Sequence, residues 1–132
     1  MRKPGAAILL IEDDPDVAAM FSLGLSIAGH EVEVAGDAGS AVLRASVRRF
    51  DLAFLDVELP RIDGVATLAL LRSNWSTRGL PVAMLTNSAD VTLHRRARSL
   101  GILDWLVKSE TTPADLVKRV SAWTSHKEVT HA

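Results

Sequence analysis

Short apolar runs alternate along this chain with longer stretches whose apolar residues recur at helical spacing. The runs are AAILLI (6–11), EVEVA (31–35), LAFLD (52–56), PVAML (81–85) and WLV (105–107). The first, third and fourth are almost continuously apolar, as strands buried on both faces of a parallel sheet are. EVEVA alternates glutamate with valine, which predicts an edge strand with one wet face.

The intervening stretches carry helix signals. Asp14 and Pro15 supply an N-cap and a first-turn proline, Val17, Phe21 and Leu25 follow on one face, and Gly29 closes the helix. Residues 38–48 predict a second helix capped by Asp37, residues 64–74 a third, and residues 89–99 a fourth. Pro113 opens a fifth with Thr112 before it as cap, and Leu116, Val117, Val120 and Trp123 form its apolar face. The polar end, residues 125–132, is expected to fray. The alternation predicts one α/β domain over residues 1–132, with its core at about 6–124. Right-handed crossovers then place helices on both faces of a parallel sheet. Sites in such sheets lie beyond the carboxyl ends of the strands, where the winding reverses.

Composition narrows the function. The chain has 132 residues and a net charge of −1, which lacks the cationic excess of a non-specific nucleic-acid binder. With no cysteine, thiol catalysis, disulfides and zinc–thiolate sites are excluded. The apolar run at 6–11 is too short for a signal peptide, and no segment approaches the ~20 apolar residues of a membrane span. The expectation is a soluble cytoplasmic protein. Charge is uneven locally: Glu12, Asp13, Asp14 and Asp16 crowd one stretch, and His94, Arg95, Arg96 and Arg98 another.

The strand ends carry the chemistry. The first strand ends in Glu12-Asp13-Asp14, the third in Asp56, the fourth in Thr86 and the fifth in Lys108. Parallel strands bring these groups to one edge of the sheet. Asp56 is ionised at neutral pH and can serve as an oxygen nucleophile without a general base. Asp13 and Asp56 repel each other, and a hard divalent cation relieves that. Mg²⁺ suits oxygen donors and commonly bridges one or two carboxylates and a phosphate. Lys108 and Thr86 would neutralise charge on a transferring phosphoryl group.

IEDD after an apolar strand, D-x-x-x-P-x-x-D-G from Asp56 to Gly64, LT at 85–86 and LVK at 106–108 together resemble the receiver domain of bacterial two-component response regulators. The spacings also fit: 30 residues from Asp56 to Thr86 and 22 from there to Lys108. The resemblance covers residues 6–124 and implies a flavodoxin-like (βα)5 sheet of strand order 2-1-3-4-5. It implies phosphorylation on Asp56, with Asp13 a direct Mg²⁺ ligand, Glu12 a ligand through water and the Glu58 backbone carbonyl completing the set. It further implies that Thr86 is the switch hydroxyl, Lys108 the cation that grips the phosphoryl group and Trp105 the switch aromatic. The donor would be a histidine kinase or a histidine phosphotransfer protein, and the output altered affinity for a downstream protein, with no direct contact to nucleic acid or membrane.

Three departures accompany the resemblance. Ser109 follows Lys108 where the family usually has a proline in a cis peptide, and a cis bond before a non-proline residue costs about 2.5–4 kcal/mol. Asn87 is bulkier than the family's small residue after the switch threonine. Trp105 is larger than the common Tyr or Phe.

Plainer roles exist for the same residues. Asp14 is a helix cap, Thr86 can cap the fourth helix, Trp105 can be a core aromatic, and the basic cluster at 94–98 can be a solvated helix face or a docking surface for an acidic partner. Two alternative functions remain: a degenerate receiver that binds partners without phosphorylation, and a haloacid-dehalogenase-like phosphatase. The second requires D-x-D after the first strand, whereas here Glu58 takes the second acid's place on the third.

Overall fold

Each apolar run becomes a strand in the computed structural model, which describes residues 5–129. The strands are β1 (Ala7–Ile11), β2 (Glu31–Ala35), β3 (Leu52–Leu55), β4 (Val82–Thr86) and β5 (Trp105–Val107). They pair in parallel in the order β2-β1-β3-β4-β5, the flavodoxin-like arrangement. The helices between and after them are α1 (Pro15–Ile27), α2 (Ala38–Val47), α3 (Gly64–Ser73), α4 (Val91–Leu100) and α5 (Pro113–Val129).

Side chains alternate across each strand, so a continuous apolar run feeds two cores. Leu9, Ile11, Ala53, Leu55, Val82 and Met84 face one side and pack on α2, α3 and α4 through Ala41, Ala45, Leu68, Leu71 and Ala97. Ile8, Leu10, Leu52, Phe54, Ala83 and Leu85 face the other and pack on α1 and α5 through Phe21, Leu25, Leu116 and Val120. The alternating EVEVA run is the sheet edge. Its Glu31 and Glu33 take ion pairs from Arg48, and Glu33 also from Arg44 at 2.8 Å, so the edge is charged and covered.

Helix starts follow their caps. Asp14, Asp37, Asp63 and Asp90 each accept a backbone N–H from the first turn they precede. Thr112 and Asp115 satisfy one another's backbone N–H groups ahead of α5, a reciprocal capping box. Most expected boundaries hold to within a residue or two, and three of the shifts matter. The fourth helix starts at Val91 because Asp90 is its cap, which also removes that role from Thr86. Strand pairing on β3 ends at Leu55, one residue before Asp56. The last helix does not stop at residue 124 but continues to Val129; of the expected fraying tail, residues 130–132 lie outside the described residues, as do residues 1–4. Among the described residues, no helix is long and apolar enough to cross a membrane.

Candidate functional site

The register of the two central strands builds the site. Ile11 pairs with Leu55, so Glu12 and Asp56, each one residue on, emerge side by side where β1 and β3 part. Backbone bonds hold both: the Asp56 N–H donates to the Ile11 carbonyl at 3.1 Å and the Glu12 N–H to the Ala35 carbonyl at 2.9 Å. Glu12 and Asp56 are almost wholly buried, whereas Asp13 between them and α1 is exposed. One oxygen from each of Glu12, Asp13 and Asp56 lies within 4.8 Å of the others.

Lys108 reaches this cluster from the end of β5. Its Nζ forms ion pairs with both buried acids, at 2.7 Å from Glu12 Oε1 and in a close contact with Asp56 Oδ2. The remaining oxygens are also engaged. Asp56 Oδ1 accepts the Glu58 N–H at 3.1 Å, and Glu12 Oε2 accepts the Asp14 N–H at 3.0 Å. Burial pushes the Glu12 carboxyl above its usual pKa, against the lowering effect of Lys108 and the Asp14 N–H. Burial works against the Lys108 ammonium too, but hydrogen bonds and attraction from Asp56 and Glu12 outweigh it and raise its pKa.

The loop from Asp56 to α3 is tightly folded. Gly64 donates its N–H to the Val57 carbonyl at 2.7 Å. A Cβ at Gly64 would stand 1.9 Å from the Asp56 carbonyl oxygen, so only glycine lets the start of α3 close over the strand end. Arg61 in this loop has φ 66° and donates to Asp37 at 3.0 Å.

The other expected site residues sit nearby with different contacts. Thr86 ends β4, is fully buried, and its Oγ1 accepts the Ser88 N–H at 3.1 Å. Trp105 is half-buried on β5 and stacks on His94 of α4, with ring centroids 4.3 Å apart and planes 18° from parallel. Part of the basic cluster thus serves packing: His94 covers Trp105 and accepts from Arg98 Nε at 3.0 Å, while Arg95 and Arg96 are exposed. Glu58 has an exposed side chain and contributes its backbone to the Asp56 loop.

Asn87 and Ser109, two separate departures along the sequence, are joined by the fold. The Ser109 N–H donates to Asn87 Oδ1 at 2.7 Å. Among the described residues there is no cis peptide bond, so the Lys108–Ser109 link is trans.

Three carboxylates against one ammonium, at the mouth of a parallel sheet, form a donor set of hard oxygens that can hold a metal ion.

Residues 8–121 match the family model described as response regulator receiver domain. The chain is 35% identical over 115 residues to the transcriptional regulatory protein PrrA of Mycobacterium tuberculosis, covering 87% of this chain and 48% of that protein. It therefore spans about half the length of the curated relatives it matches. The chemotaxis response regulator CheY4 of Vibrio cholerae superposes with a TM-score of 0.81 at 29% identity, covering 90% of this chain and 98% of that one. The receiver domain of the sensor histidine kinase PA1611 from Pseudomonas aeruginosa superposes with a TM-score of 0.80 at 28% identity, covering 90% and 97%. That structure is described with a magnesium ion coordinated in its active-site cleft.

Proposed function

Because the chain belongs to the response regulator receiver family, whose members take phosphate from histidine kinases, we propose that it is a phosphorylation-switched signalling domain with Asp56 as its phosphoacceptor. The single observation that carries this reading is the convergence of Glu12, Asp13 and Asp56 with Lys108 at the carboxyl ends of β1, β3 and β5. Asp13 and Asp56 would hold Mg²⁺ directly, Glu12 through water, and the Glu58 carbonyl would complete the protein ligands. When bound, the ion supplies positive charge opposite the phosphoryl oxygens.

An Asp56 carboxylate oxygen attacks the phosphorus of a phosphohistidine on a histidine kinase or histidine phosphotransfer protein. The P–N bond breaks, a P–O bond forms, and the imidazole leaves with the electron pair. Lys108 exchanges its contact with the carboxylate for one with the new phosphoryl group, and Thr86 gives up the Ser88 N–H to meet it. Trp105 follows Thr86, leaving its stack on His94. These contacts bias two surface conformations of the α4–β5–α5 face. A swing from 1:99 to 99:1 needs about 5.5 kcal/mol of differential interaction, within reach of a dianion that meets a cation, a hydroxyl and a metal. Hydrolysis of the acyl phosphate resets the switch. The domain assists its own phosphorylation and dephosphorylation and turns over no other substrate. Its output is altered affinity for a downstream protein, without direct contact to nucleic acid or membrane.

Incubation with acetyl phosphate and Mg²⁺, followed by mapping of the modified residue by mass spectrometry, tests this. Modification at Asp56 that disappears in Asp56→Asn is expected. Wild-type protein that stays unmodified would turn the reading toward a phosphorylation-independent binding module.

A further inference from the structure

The two loops that carry the proposed switch groups are tied to each other. Asn87 follows Thr86 and Ser109 follows Lys108, and the pairing of Thr86 with Val107 sets these loops side by side. The Ser109 N–H belongs to the single helical turn Lys108–Glu110, which has no side-chain cap of its own, and the Asn87 carboxamide oxygen takes that donor at 2.7 Å from the neighbouring loop. A proline at position 109 would have no N–H to give.

Thr86 is held in the same loop by its bond to the Ser88 N–H. To turn toward a group on Asp56, Thr86 must release Ser88, and Asn87 lies between those two partners. Any backbone shift of this loop that accompanies the turn acts on the Asn87–Ser109 bond as well.

We infer that Asn87 is a positioning residue: by gripping the Ser109 N–H it latches the Thr86 loop to the Lys108 loop and holds the site in its resting arrangement. This rests on the phosphoacceptor reading. The latch acts on both groups that would reorganise around the phosphoryl oxygens, so releasing it favours the activated arrangement. A single solvent-exposed hydrogen bond shifts such an equilibrium by about three- to tenfold.

The test compares Asn87→Leu, which keeps the branched bulk at the site mouth but has no acceptor, with Asn87→Asp, which keeps the acceptor. Amide exchange at Ser109, followed by NMR on the full chain, is expected to quicken in Asn87→Leu and to return toward wild type in Asn87→Asp. Titration with beryllofluoride and Mg²⁺ is expected to reach half-saturation at about three- to tenfold lower beryllofluoride in Asn87→Leu. Unchanged exchange at Ser109 in that variant overturns the latch. Faster exchange with an unchanged titration reduces it to local loop structure and overturns its role in switching. A wild type that ignores beryllofluoride overturns the phosphoacceptor reading and the coupling with it, whereas a responsive wild type matched by Asn87→Leu overturns the latch alone. If Asn87→Leu folds poorly, Asn87→Ala removes the acceptor instead and is judged by the same exchange and titration.

Discussion

At the scale of single residues, Gly64 and His30 show that a contact far along the chain can dictate a residue type. The Asp63-Gly64 pair reads in sequence as a turn and helix start, and Asp63 does cap α3. The demand for glycine has another source, the Asp56 carbonyl that a Cβ would strike at 1.9 Å. Gly64→Ala is expected to lower stability by about 3 kcal/mol, measured from the denaturant midpoint, because the backbone at the acceptor must shift. His30 carried no signal in sequence. It is half-buried after α1, and its Nδ1 accepts the Ala6 N–H at 3.0 Å at the start of β1. Burial lowers its pKa from the ordinary 6.5, and a proton on Nδ1 would face that donor. The unfolded chain then binds the proton more readily than the folded one. The stabilising contribution is thus complete above about pH 6.5 and is lost as pH falls through the lowered folded value. Unfolding midpoints between pH 8 and pH 5 should fall more steeply for wild type than for His30→Ala; parallel slopes would argue against this role.

Elements were legible wherever the signal was local. Apolar runs, helical spacing, the caps Asp14, Asp37 and Thr112 and the glycine after α1 are features of neighbouring residues, so all five strands and helices were expected from them. Boundaries moved by a residue or two at most elements, and the last helix ran on to Val129 through a polar stretch that carries no apolar periodicity. What holds the elements together was less visible. Arg72, half-buried in the last turn of α3, pairs with no acid among the described residues. Instead it donates to the carbonyls of Leu100 and Gly101 at 3.0 and 2.8 Å, and to those of Arg78 and Leu80 at 3.1 and 2.8 Å. The guanidinium thus meets the negative end of α4 and ties it to the turn before β4. Arg72→Met keeps the aliphatic stem and removes the donors. It is expected to cost about 2 kcal/mol and to speed amide exchange in the last turn of α4, with little change in metal binding.

Across the whole molecule, the site is a balance of charge. Two buried carboxylates share one ammonium, and removing it leaves them facing each other. Lys108→Met is expected to lose on the order of 3 kcal/mol in metal-free buffer, read by chemical denaturation. Under the proposed function, added Mg²⁺ should raise the wild-type Tm in proportion to binding. The gain reaches about 2.7 kcal/mol at a hundredfold excess over Kd, and Asp13→Asn should blunt it. A Tm indifferent to Mg²⁺ would count against the metal assignment.

The amino-acid order alone determined which segments are strands, that the sheet is parallel and covered on both faces, and which acids, hydroxyl and amine stand at its carboxyl edge. Those follow from periodicity and from the common direction of parallel strands. Only the tertiary structure decided who touches whom: Lys108 with Asp56 across 52 residues, Asn87 with Ser109 across 22, His94 on Trp105, and Gly64 against the Asp56 carbonyl. Such contacts depend on strand register and loop path to within about an ångström, and a local pattern of apolar and polar residues carries no record of distances between segments it does not contain.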